Sequence, residues 1–183
     1  MNRKTRHLVA TLPLAAMLFP RLGCGDQAER AELDRLTDLV KECERNKEVV
    51  REVFAAIDSG KLDKLEELMS DDFSARIPSL KRPLGKADVF QIIETHYAAF
   101  PDWTHSIEVM VAEGNNVAVK LHQHGTQEAQ YEGIPPTGKT VTNPAMHLIT
   151  VVNGKVKDWW VLEDNLGFMQ QLGMELKPRQ GSR

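Results

Sequence analysis

The stretch Gly133-Ile134-Pro135-Pro136-Thr137-Gly138-Lys139-Thr140 decides how this chain is read. It satisfies G-x-x-x-x-G-K-[ST], the pattern of a loop that cradles phosphate on successive backbone N–H groups at the start of a helix. Two features oppose that use. Pro135 and Pro136 have no N–H to donate. Val141-Thr142-Asn143-Pro144 then follows, β-branched and interrupted by proline, so no helix begins there. The alternating strand–helix pattern of a parallel sheet is also missing. The stretch therefore reads as the tip of a β-hairpin, and neither a nucleotide nor a cofactor is expected.

On both sides of the tip the hydrophobic period is two. Ile107, Val109 and Val111 alternate with Ser106, Glu108 and Met110 before a turn at Glu113-Gly114-Asn115-Asn116. Val117, Val119 and Leu121 alternate with Ala118, Lys120 and His122 in a strand expected to run on to Tyr131. Beyond the tip, Val141 to Val152 and Val156 to Leu162 are strands joined by Asn153-Gly154, a strong tight-turn signal. Asn165 to Leu172 reads as a closing helical turn stopped at Gly173.

Upstream the period is helical. Val49, Val50, Val53, Phe54 and Ile57 share one face of a helix expected to start at a capping Asn46 and end at Asp58. Leu62 to Met69 makes a second helix, and Lys86 to Phe100 a third that Pro101 ends. Between them Ser70-Asp71-Asp72 reads as a turn and Phe73 to Ile77 as a short strand. Three helices followed by a four-stranded antiparallel meander give an α+β fold, with the helices wrapped over one face of a curved sheet.

The ends have a different character. Residues 1–23 hold Arg3, Lys4, Arg6 and Arg21 and no acid, with an apolar run from Leu8 to Phe19 too short to span a bilayer. That order of basic and apolar regions is expected of an export signal, and a disordered basic extension is the alternative. Outside this segment 19 of the 23 basic side chains face all 26 acidic ones. A body that acidic repels phosphate backbones, so no nucleic-acid partner is expected. Leu33, Leu36, Leu39, Val40 and Cys43 mark one face of a helix over residues 26–47, read as a stalk. The resulting division is 1–23 signal, 24–45 stalk, 46–174 folded domain and 175–183 flexible tail. Two cysteines, Cys24 and Cys43, make neither a disulfide framework nor a zinc site.

Three stretches carry a family resemblance. Gly133 to Lys139, Phe100-Pro101-Asp102-Trp103, and Asn165 to Gly173 together resemble the SnoaL-like polyketide cyclase and ester cyclase group of the nuclear-transport-factor-2-like superfamily. The resemblance covers nearly all of residues 46–174. It implies a cone-shaped, strongly curved sheet open at one end to an apolar pocket, a small apolar ligand in the cone, and a homodimer through the sheet's outer face. Leu22-Gly23-Cys24 is similar to the end of a bacterial lipobox, with Arg21 departing from the aliphatic residue usual there. It implies lipid attachment at Cys24 and a place at the cell envelope. Two departures concern chemistry. Where the polyketide cyclases place a pocket histidine after Gly125-Thr126, this chain has Gln127, and where an acid/base aspartate follows the last strand's tryptophan, Trp160 is followed by Val161. Neither replacement titrates near neutral pH.

Candidate site residues follow from position. If Val117, Val119 and Leu121 face inward, so do Gln123, Gly125 and Gln127, and the two glutamines either line the pocket or emerge into solvent at the strand end. His122 and His124 fall on the opposite face and lack an evident third metal ligand, so no metal is expected. His147, mid-strand among apolar neighbours, is either a hydrogen-bonded core histidine or an acid/base group. Asp164 either caps the closing helix or reaches the pocket as a general base paired with His147. Tyr131, Trp103 and Trp160 are expected to line the ligand, and Trp159 is core or lining. Together with the resemblance, these residues imply an exported SnoaL-like pocket protein, and as an enzyme it is expected to do acid/base chemistry on an apolar carbonyl- or ester-containing molecule. A non-catalytic carrier of an apolar ligand and an interaction domain are the alternatives.

Overall fold

A computed structural model describes residues 23–175 and residue 177. The export-signal reading rests on residues of which 1–22 lie outside that range, as does most of the expected tail. In chain order the elements are α1 (Gly23–Asp58), α2 (Leu62–Leu68), β1 (Met69–Arg76), α3 (Lys86–Ala99), β2 (Thr104–Glu113), β3 (Asn116–Thr126), β4 (Thr140–Val152), β5 (Lys155–Glu163) and α4 (Asn165–Gln171). Residues 23–37 belong to a separate compact unit. In it, Arg35 pairs with Glu32 through two hydrogen bonds of 2.9 and 2.8 Å. The unit that begins at Asp38 holds the sheet, the core and the cavity.

The sheet has five strands in the order β1-β5-β4-β3-β2. The four expected strands form the antiparallel meander, and β1 adds a fifth along the edge of β5, parallel to it. Ser70-Asp71-Asp72, expected to be a turn, instead lies inside β1. The pairing with β5 is irregular between Met69 and Ser74, and this irregularity accommodates the polar run. Asp72 is tied there by Lys157 at 2.9 Å. The Asn153-Gly154 turn forms as expected, with φ of 52° and 75°. Strand β4 begins directly after Lys139, so the loop at Gly133 opens no helix.

Asn46 does not cap a helix. It lies well inside α1, because no glycine or proline interrupts residues 26–58, and its buried side-chain amide donates to the Gly114 carbonyl at 2.9 Å. Strand β3 stops at Thr126 rather than Tyr131. Proline sits in the middle of the sheet at Pro144, which is allowed because its missing N–H lies on the side where β5 ends. Its carbonyl there accepts from the Asp164 N–H at 3.3 Å.

The buried side chains fall into two groups. The first packs α1 and α2 on the sheet's inner face through Val50, Val53, Phe54, Leu65, Val117, Val119, Ile149 and Trp159. The second joins Phe100, Trp103, Tyr131, Ile134, Val141, Phe168 and Leu172. Its aromatic rings meet edge to face or tilted, with centroids 5.1 to 6.1 Å apart. Each of the three stretches that carry the resemblance contributes to this second group. They meet as a structural plug.

Candidate active site

Between α3 and the inner face of the sheet lies a cavity of about 100 Å³. Its apolar wall comes chiefly from Ile57, Leu84, Val89, Ile92, Ile93, Trp103, Trp159 and Val161. Set into that wall are His96, Tyr97, His105, Gln123, His147 and Glu163, and among the described residues no lysine or arginine.

His105 on β2 meets Asp58, the last residue of α1. The Nδ1 nitrogen lies 2.6 Å from Asp58 Oδ1, and the His105 backbone N–H donates to Asp58 Oδ2 at 3.2 Å. A carboxylate accepts only, so with neutral imidazole the proton sits on Nδ1 and Nε2 keeps its lone pair. Among the described residues Nε2 has no hydrogen-bond partner. Tyr97 lines the same cavity with its hydroxyl buried on the side of Asp58. Burial, reinforced by the negative charge of Asp58, pushes it up to about 12.

His147 on β4 is held differently. The Trp159 indole N–H donates to His147 Nδ1 at 3.0 Å, and the opposite nitrogen, Nε2, is buried without a partner among the described residues. Burial, with a smaller contribution from His105, pushes the imidazole down to about 3, so it is neutral under ordinary conditions. Phe54 packs against His105, His147 and Trp159 with ring centroids 5.2, 5.5 and 5.9 Å away. His96 is also neutral in place. Its Nδ1 faces the Ile92 carbonyl at 3.0 Å, its Nε2 faces the Tyr131 hydroxyl at 3.0 Å, and burial lowers its basicity. A third polar group joins Gln123, which donates to Glu163 Oε1 at 3.0 Å and accepts from Asn143 at 3.2 Å.

Of the residues singled out from sequence, His147, Gln123, Trp103 and Trp159 line this cavity. Gln127, Asp164, Tyr131 and Trp160, expected at the ligand, lie elsewhere. Gln127 faces inward as alternation requires, but it staples the hairpin tip: its amide donates to the Ala129 and Ile134 carbonyls and accepts from Thr137. Asp164 accepts from the Gly167 N–H at 2.8 Å as the cap of α4. Tyr131 is buried in the second core group beside His96. Trp160 is 39% exposed on the outer face, and its neighbour Trp159 occupies the cavity wall. His122 bonds Glu108 at 2.6 Å and His124 bonds Thr142 at 3.1 Å.

Asp58, His105, Tyr97 and Glu163 were not anticipated. Glu163 had a signal, because alternation from Trp159 through Val161 places it on the same side. His105 shares its parity with Ile107, Val109 and Val111, but the register shifts between Ile107 and Val109, so His105 faces the cavity while Val109 and Val111 face out.

Residues 47–172 match the family model of the SnoaL-like polyketide cyclases. The chain belongs to that family. Among its SnoaL-like relatives is the aklanonic acid methyl ester cyclase of Streptomyces sp. (strain C5), 29% identical over 132 residues, which are 69% of this chain and 80% of that protein. The nogalonic acid methyl ester cyclase of Streptomyces nogalater is 26% identical over 122 residues, covering 65% and 90%. The crystal structure of wild-type IdmH from Streptomyces antibioticus superposes with a TM-score of 0.66 at 25% identity, covering 70% of this chain and 99% of that one. The fold is thus the cone-shaped one of SnoaL-like proteins. Within it, Val161 puts an apolar side chain into the cavity and Glu163 presents a carboxylate two residues later.

Proposed function

We propose that this protein is an enzyme that abstracts a proton next to the carbonyl of a small apolar ketone or ester. The observation that carries this reading is the Asp58–His105 pair, 2.6 Å apart, with the imidazole set in the cavity wall. The carboxylate orients the imidazole and stabilises the cation that forms when Nε2 takes a proton. A wall without cations favours a neutral ligand over a carboxylic acid. The cyclase relatives are named for methyl esters, which agrees with that class. About 100 Å³ is less than the roughly 150 Å³ of a cavity that takes benzene, so the enclosed part of the ligand is no larger than one small ring or a short chain. The test is α-proton exchange in deuterium oxide on the α-methyl derivative of ethyl acetoacetate. Exchange should exceed that in buffer and fall about 100-fold or more in His105→Gln and Asp58→Asn. Exchange no faster than in buffer, or equal in the variants, refutes the reading.

A non-catalytic carrier is the second reading, favoured by Val161 at the position expected to hold an acid. It predicts a thermal shift with the same ester, recovered unexchanged. The proposal extends to export with lipid attached at Cys24: a fatty-acid analogue should label the wild type in cells and not Cys24→Ser. It also includes pairing of two copies through the outer sheet face.

A further inference from the structure

The Trp159–His147 contact has a consequence independent of the base. An indole N–H is a donor and never an acceptor, so His147 Nδ1, 3.0 Å from it, must be the unprotonated nitrogen. Neutral imidazole then carries its proton on Nε2. That N–H is buried, belongs to a cavity-lining side chain, and has no acceptor among the described residues. His147 itself is only 4% exposed. A buried donor with nothing to bond is costly, and a ligand acceptor seated against it removes the cost.

We infer that His147 Nε2–H is a ligand-binding donor that selects molecules presenting an acceptor oxygen, and that Trp159 is the positioning residue fixing its tautomer. Phe54, packed on both rings, holds the pair in register. The alternative tautomer would set Nδ1–H against the indole N–H, donor against donor. His147 is therefore a fixed donor rather than a base, and the proton-accepting role stays with His105. The inference rests on the proposed function only in placing the ligand in the same cavity. The cavity would discriminate a carbonyl from a hydrocarbon of the same shape even if no proton were ever abstracted.

The test uses the full chain with histidine labelled at both ring nitrogens. His147→Gln identifies the His147 signals among those of the six histidines. Wild type should show the neutral ring protonated at Nε2, and Trp159→Phe should turn that single tautomer into a mixture. Cyclohexanone and methylenecyclohexane, close in shape, serve as ligand probes. The ketone should bind about tenfold tighter to wild type, the worth of one hydrogen bond to a buried donor. It should move the Nε2 signal, and the preference should shrink in Trp159→Phe. A wild-type ring protonated at Nδ1, or equal affinity for the two probes, overturns the inference. The wild-type measurements decide it even if Trp159→Phe does not fold. Absence of α-proton exchange alone would count against the base and leave this result standing.

Discussion

Burying His147 uncharged makes it a source of acid lability. Its pKa falls from near 6.5 in the unfolded chain to about 3 in the folded one. Between these values the unfolded state binds more protons, so this group's contribution to stability is intact above pH 6.5 and is lost as pH falls toward 3. The slope approaches ~1.4 kcal/mol per pH unit. His147→Gln can still accept from Trp159 but cannot titrate. Urea unfolding from pH 6.5 down to 4 should give a shallower decline for the variant, and equal slopes would contradict the assignment. Gly125 illustrates a different constraint. A Cβ there would lie 2.5 Å from Trp103 Cε3 and 3.2 Å from Phe100 Cβ, against rings held in the second core group. Gly125→Ala should destabilise by about 1–3 kcal/mol in thermal or urea melts, an overpacking cost that leaves the cavity's polar residues unchanged.

At the scale of elements, the hairpin tip behaves as one unit hung on a single side chain. Gln127 uses both functions of its amide, and its backbone continues the ladder with Lys139 and Gly138 at 2.9 and 3.0 Å. Gln127→Leu keeps the volume but leaves Thr137 and two carbonyls without their partner. It should cost about 2–3 kcal/mol and speed proteolysis within residues 128–139, measured against wild type in the same digest. What the sequence could reveal follows the same division. Strand periodicity in residues 117–127 correctly oriented Gln123, Gly125 and Gln127, because regular alternation carries its parity along the strand. It could not say that Gln127 would be consumed by its own loop, since the bonds come from residues whose path depends on two glycines at positive φ, Gly133 and Gly138. Strand β2 hid His105 behind a register shift, and Asp58 looked like an ordinary helix end because its partner is 47 residues away. Strand β1 escaped as a sheet member because parallel pairing to β5 leaves no hairpin signal.

At the scale of the whole molecule, the outer face of the sheet is unusually apolar for a surface. The cross-strand register sets Val111, Ala118, Leu148 and Trp160 in one row and Val109, Lys120, Met146 and Leu162 in the next. Val109 and Val111 are 51% and 58% exposed, and Met146, Leu148, Trp160 and Leu162 between 39% and 48%. Contiguous rows of this kind mark interaction surfaces more often than free ones. The one cation within them, Lys120, is already paired with Glu108 at 2.6 Å, so a flat, nearly neutral patch is presented. Such a patch can pair with its own two-fold copy without leaving an unmatched charge, which is why a second copy is the proposed occupant. Leu148 sits in the four-residue row between Ala118 and Trp160. Leu148→Arg places like charges across a two-fold contact while replacing a side chain that is already 45% exposed. Its thermal midpoint in dilute solution should therefore stay within a few degrees of wild type. Sedimentation at micromolar concentration should instead show wild type as a dimer and the variant as a monomer. The wild-type melting temperature should rise with protein concentration and that of the variant should not. A wild type that sediments as a monomer throughout this range would rule out the paired face.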